Sequence, residues 1–146
     1  DTTESRGLGD VYKRQADAPL LKACRSAAVL AATPRVRLPV LQEAGVSLDA
    51  LIGSGLDPSE RVEPDQLNPT PHTLIRTEGA AGGLCLPGSR YEPAPLPGPL
   101  VESYGCGDSF AAGVVTGLAA RWSLAKAIYL GAQCGAACAT RFGPYG

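Results

Sequence analysis

The chain has no run of about 18 apolar residues that could span a bilayer, and its N-terminus lacks the apolar segment of a secretory signal. A cytoplasmic protein is expected, with no membrane partner. It also has no excess of charge of either sign. Thirteen Lys and Arg stand against fourteen Asp and Glu, a net charge of -1, so no global field draws nucleic acid to it. Any phosphate must be bound by local groups. Cysteine pairs at metal-ligand spacing are missing too. The five cysteines (Cys24, Cys85, Cys106, Cys134 and Cys138) are odd in number and contain no CxxC, and His72 is the sole histidine. That excludes a disulfide framework and a zinc knuckle, and leaves Cys134 and Cys138, four apart on an expected helix, as core packing.

What is present suits one soluble globular domain, or part of one, with many turns: 146 residues, 45% hydrophobic, with 18 Gly and 13 Pro. Residues 1–15, DTTESRGLGDVYKRQ, are polar and aperiodic. They read as a disordered or non-native leader, because GLGDVYKRQ resembles a translated vector junction. Native sequence is then expected to start near Ala16.

From Ala16 the pattern predicts a short helix running into a buried strand at Ala28 to Ala32. Thr33 is placed as a helix N-cap and Pro34 as the first helical residue, with Val36, Val40, Leu41 and Ala44 on one face and Gly45 as the stop. A shorter apolar cluster, Leu48 to Ile52, precedes GSGLDPSERVEPDQLNPTP. This reads as a solvated loop without chemistry. HTLIRT and GGLCL predict a hairpin about the turn Glu78 to Ala81, and the proline-rich YEPAPLPGPL a surface crossing. Two helices close the chain. One opens near Gly107 and turns Phe110, Val114, Val115 and Leu118 towards a core; the other is capped by Ser123 and carries Gly131, Cys134, Gly135 and Cys138. Their small residues imply tight packing, and the alternation of elements implies an α/β layer architecture.

Chemistry concentrates in Glu102-Ser-Tyr-Gly-Cys-Gly-Asp-Ser-Phe110. Gly105 and Gly107 can take positive φ and turn successive N–H groups into one concavity at a helix N-terminus. Such a nest holds phosphate. Asp108, at its rim, is placed to accept a hydroxyl proton. The plain alternative is that Asp108 or Ser109 merely caps the helix and the glycines form an ordinary turn. No Lys-Ser/Thr follows the glycines, so this is not a Walker A loop. Phe110 stands where the third glycine of a dinucleotide fingerprint would be, which argues against an oxidoreductase.

VESYGCGDSFAAGVVTGLA resembles the C-terminal signature of the PfkB/ribokinase family, usually written DTxGAGDxFxxG, with Asp108, Ser109, Phe110 and Gly113 in register. Arg76 to Gly83 resembles the family's T-x-G-x-x-G turn, and Gln133 to Ala137 its small-residue helix beside the adenine. The resemblance implies a ribokinase-like three-layer α/β sandwich around a central, mostly parallel sheet, of which residues 16–146 supply the C-terminal part only. It implies ATP-dependent phosphoryl transfer to a hydroxyl of a sugar or nucleoside, with Mg²⁺ and a monovalent cation such as K⁺. Asp108 takes the place of the catalytic base and Gly105, Cys106 and Gly107 that of the anion hole; Thr77, Gly79, Gly82 and Gln133 take nucleotide-contacting places.

Departures are Glu102-Ser103 for the usual Asp-Thr, which puts Glu102 where it could act indirectly on a metal, Cys106 for alanine, and Gln133 where asparagine is common. Nothing resembles the family's N-terminal Gly-Gly motif, sugar-binding residues or β-stranded lid. The chain therefore reads as a fragment, inactive alone, of a parent that is a homodimer where the lid mediates pairing. A non-catalytic nucleotide-binding or interaction module is the alternative.

Overall fold

A computed structural model of the protein describes residues 18–35 and 38–141. The leader at residues 1–15, the expected native start at Ala16, and Val36 lie outside the described residues.

Helix α1 (Ala18–Cys24) leads to strand β1 (Ala31–Ala32), helix α2 (Leu38–Ala44) and strand β2 (Ala50–Ser54). Strands β3 (Leu74–Thr77), β4 (Gly83–Leu86) and β5 (Arg90–Tyr91) follow, then helices α3 (Cys106–Ala119) and α4 (Leu124–Cys138). The strands form one sheet in the order β1-β2-β3-β4-β5. The pairs β1–β2 and β2–β3 are parallel, and β3–β4 and β4–β5 antiparallel. The sheet is thus mixed, parallel on the side that carries the crossovers and antiparallel where a short turn joins neighbours.

Strand periodicity builds three layers. Ala50 and Ile52 of β2 and Ile75 of β3 pack with Phe110, Val114, Ala127 and Ile128 of α3 and α4. The intervening Leu51 and Leu74 point to the other face, among Leu41, Leu48, Val62 and Leu67, with Leu21 of α1 alongside. Burying each such side chain contributes about 1.5–3 kcal/mol. The sheet is therefore covered on both faces, as parallel strands require.

The α3–α4 layer is set by glycine. A Cβ on Gly117 would fall 2.8 Å from Ala127 Cα, and one on Gly113 would meet the backbone of Gly131. The expected tight packing is present, and Ser123 caps α4 through Lys126 N–H as expected (3.2 Å).

Several expectations need correction. Pro34 is not the first residue of a helix: it is buried ahead of α2, its ring against Gly53, while Thr33 Oγ1 accepts Arg35 N–H (3.4 Å) in a turn. The strand predicted from Ala28 is confined to Ala31–Ala32, because the Asp49 carboxylate takes Leu30 N–H (2.7 Å) and binds Arg25 (3.1 Å). The stretch read as a solvated loop carries two 3-10 turns, Pro58–Glu60 and Pro64–Gln66, and sends Val62 and Leu67 into the core. The proline-rich crossing begins with β5, whose Tyr91 stacks on Phe110 with ring centroids 5.6 Å apart. The hairpin β3–β4 forms as predicted, with Thr77 paired to Gly83.

Candidate active site

Because β1, β2 and β3 run parallel, their carboxyl ends at Ala32, Ser54 and Thr77 reach one edge of the sheet. A cavity of about 590 Å³ opens there, walled by Arg35, Ser54, Glu60 and Thr77 on the sheet side and by Gly107 and Asp108 of α3. The crevice outside the carboxyl ends of such strands is where open α/β sheets bind ligands.

Gly105 takes the left-handed conformation (φ 79°) and caps α3. Its carbonyl accepts Ser109 N–H (2.9 Å), and Cys106 N–H donates to Ser103 O (3.2 Å). Gly107 lies within the first helical turn and has no positive φ, contrary to the expected pair of left-handed glycines; a second left-handed residue would break that turn. A Cβ on Gly107 would meet no atom within 4 Å, so its face is open. With the Cys106 donor turned back on Ser103, the N–H groups of Gly107 and Asp108 are the first-turn donors without an intrahelical acceptor. They lie at the positive end of the α3 dipole. Asp108 itself is exposed to the cavity.

Glu60 and Arg35 were not singled out from the sequence. Glu60 is only 7% exposed; its Oε1 accepts Ser54 N–H (2.8 Å) and its Oε2 accepts Arg35 Nε–H (3.1 Å). The bond to Glu60, then the charges of Glu60, Asp108 and Asp57, hold the Arg35 guanidinium above its ordinary range. The signal that could have found both residues is positional: each follows the end of a parallel strand, where a ligand crevice forms.

A second cavity, about 460 Å³ and mainly apolar, shares Thr77 and Gly107 with the first. Gly79 and Gly82 border it from the β3–β4 turn, Cys106 and Phe110 from α3, and Ala132 and Gly135 from α4. Gly82 has φ 84°, and a Cβ there would run into Tyr91 O, so this turn requires glycine. Burial and a hydrogen bond with Cys138 push the Cys106 thiol up to about 11.

Thr77, Gly79, Gly82, Cys106 and Gly107 are thus brought together around two joined cavities, with Asp108 on the one that carries Arg35 and Glu60. Three expected residues are not among them, and the first is Gly105, which lines neither cavity and shapes the turn ahead of α3. Gln133 is exposed on α4 and lines neither cavity, since Ala132, Gly135 and Ala136 present the inner face of that helix. Glu102, half-buried, lines neither as well; its N–H donates to Ala139 O (3.3 Å).

A mixed five-stranded sheet covered by helices on both faces, with two joined cavities at its strand ends, is an α/β architecture of the ribokinase-like class. The profile of the pfkB family carbohydrate kinases matches residues 48–146. The chain belongs to that family. Solved structures agree on the fold. A Burkholderia thailandensis nucleoside kinase, in complex with inosine, is 21% identical with a TM-score of 0.69, over 87% of this chain and 46% of that one. Ribokinase from Thermotoga maritima is 16% identical, TM-score 0.67, over 84% and 46%. Ribokinase from Cryptococcus neoformans in complex with ADP is 22% identical, TM-score 0.63, over 86% and 52%. The chain spans about half the length of these structures. A search of curated protein sequences gives no match.

Proposed function

We propose that this chain carries the nucleotide-binding and base-supplying part of a kinase that transfers the γ-phosphoryl group of ATP to a hydroxyl of a sugar or nucleoside. One observation carries the reading: Asp108 stands at the first turn of α3, in a cavity lined also by Arg35 and Glu60 that joins a more apolar one at Thr77 and Gly107. The apolar cavity is of a size to take a base, with Gly79 and Gly82 along it, and falls in the usual range for small-molecule sites. The ADP complex of the fungal ribokinase and the inosine complex of the bacterial nucleoside kinase support nucleotide use and a nucleoside among the candidate acceptors.

In this reading the Asp108 carboxylate takes the proton of the acceptor hydroxyl. The freed oxygen attacks the γ-phosphorus, and the bond to the β–γ bridging oxygen breaks, releasing ADP. Gly107 and Asp108 N–H groups stabilise the charge gathering on the phosphoryl oxygens. Gly105 supplies the left-handed turn that aims them, and Cys106 fills the space behind. Mg²⁺ would be held by the nucleotide phosphates and water, with Asp108 kept for the acceptor proton and the two Glu60 oxygens already accepting Ser54 N–H and Arg35 Nε–H. It would offset phosphate charge there.

Calorimetric titration with Mg·ATP tests the reading. The chain and Asp108→Asn are expected to bind alike, and Gly105→Val, strained at positive φ, is expected to lose binding. Equal binding by Gly105→Val, or none by the folded wild-type chain, would overturn it. Binding without turnover once the remaining half is supplied would favour a non-catalytic module.

A further inference from the structure

Among the described residues, Arg35 is the one cationic side chain lining the cavity that Asp108 borders, beside the carboxylates of Glu60 and Asp108. Its setting is built rather than incidental. Glu60, 7% exposed, is fixed by Ser54 N–H at one oxygen and holds Arg35 Nε at the other. The Arg35 side chain is itself 69% exposed. One edge of the planar guanidinium is therefore anchored, and its terminal NH₂ groups make no hydrogen bond among the described residues. Asp108 lies near enough to add to the field at Arg35. A fork of donors held at one edge and open at the other matches the geometry of an oxyanion.

We propose that Arg35, positioned by Glu60, binds an oxyanion in the Asp108 cavity, either on the phosphoryl group of the nucleotide or as an anionic group on the acceptor. Buried Glu60 would be left uncompensated without Arg35, and two carboxylates alone would repel any anion from the cavity. Arg35 reverses that locally. The proposal rests on the nucleotide reading in its first source only; the second stands without it.

The test is calorimetric titration of the chain, Arg35→Gln and Arg35→Lys with Mg·ATP, Mg·ADP and gluconate, with glucose as the neutral control. Unfolding midpoints are measured in parallel. A charge-assisted hydrogen bond predicts binding weakened about 10- to 100-fold in Arg35→Gln, less in Arg35→Lys. Weakening for ATP alone identifies the γ-phosphoryl group, and for ATP and ADP alike the oxyanions they share. Weakening for gluconate, with glucose unaffected, identifies an acidic acceptor. Unchanged affinities for every ligand that the wild-type chain binds would overturn the proposal. So would losses that track a fallen unfolding midpoint, or a folded wild-type chain that binds none of the three anions. Failure of the nucleotide reading has a different signature: ATP and ADP do not bind, while gluconate binds and depends on Arg35.

Discussion

Gly113 of α3 and Gly131 of α4 are in direct backbone contact: a Cβ on Gly113 would lie 2.7 Å from Gly131 Cα, and one on Gly131 would lie 2.8 Å from Phe110 O. Phe110 sits one turn into the helix whose first turn carries Asp108, so the helix contact also fixes the height of the Gly105–Asp108 turn over the sheet.

Gly131→Ala is therefore expected to force the helices apart and to lower stability by about 1–3 kcal/mol. Denaturant unfolding measures it. An unchanged midpoint would show that the layer can relax, and that the glycine contact does not set the helix spacing.

Asp49 ties α1 and the β1 approach to β2. Burial raises its pKa, but Leu30 N–H, Arg25 and His72 outweigh that, and the net effect is a carboxyl below its ordinary value of 3.8. A depressed folded pKa gives stability that is present above the unfolded value and lost as pH falls through the folded one. The wild-type protein should lose stability below about pH 4, and Asp49→Asn should flatten that part of the profile. Parallel acid limbs for the two proteins would contradict the assignment.

Cys106 replaces an alanine of the family signature, and its thiol, pushed up to about 11 by burial and by Cys138, is almost wholly protonated near pH 8. Alkylation by iodoacetamide at that pH should label exposed Cys24 first, with Cys106 about tenfold slower or more. Mass spectrometry of the timed digest decides it; comparable rates would mean that the loop opens freely.

On the proposed reading, in a kinase that contains this chain, Asp108→Asn is expected to lower phosphoryl transfer by about 10²- to 10⁴-fold, the range for a lost general base, with nucleotide affinity retained. A turnover assay with ATP and a panel of sugars and nucleosides measures it. Retained turnover would remove Asp108 from its role.

The layer order was legible in the sequence because periodicity records which face of an element is buried: Leu51 and Leu74 alternate with Ala50, Ile52 and Ile75 across the sheet. Register and strand ends were less so. The extent of β1 depends on Asp49, nearly twenty residues downstream, and local propensity carries no trace of that bond. Gln133 lies on the exposed side of α4 for a related reason. A helix of small residues leaves its facing side undetermined until its partner is packed, and α3 turned Ala132 and Gly135 inward instead.

By itself the sequence determined the form of the loop. Glycine at 105 permits the left-handed turn, an apolar run after Ser109 commits the chain to a helix, and Asp108 must then fall in the first turn of α3. Only the tertiary structure decided what faces Asp108. Parallel pairing of three strands brings Arg35, Glu60 and Thr77, which are 42 residues apart from first to last in the chain, to one edge of the sheet. Such contacts depend on strand order and register, and these are set by burial on both faces of the sheet rather than by any residue within the loops that meet there.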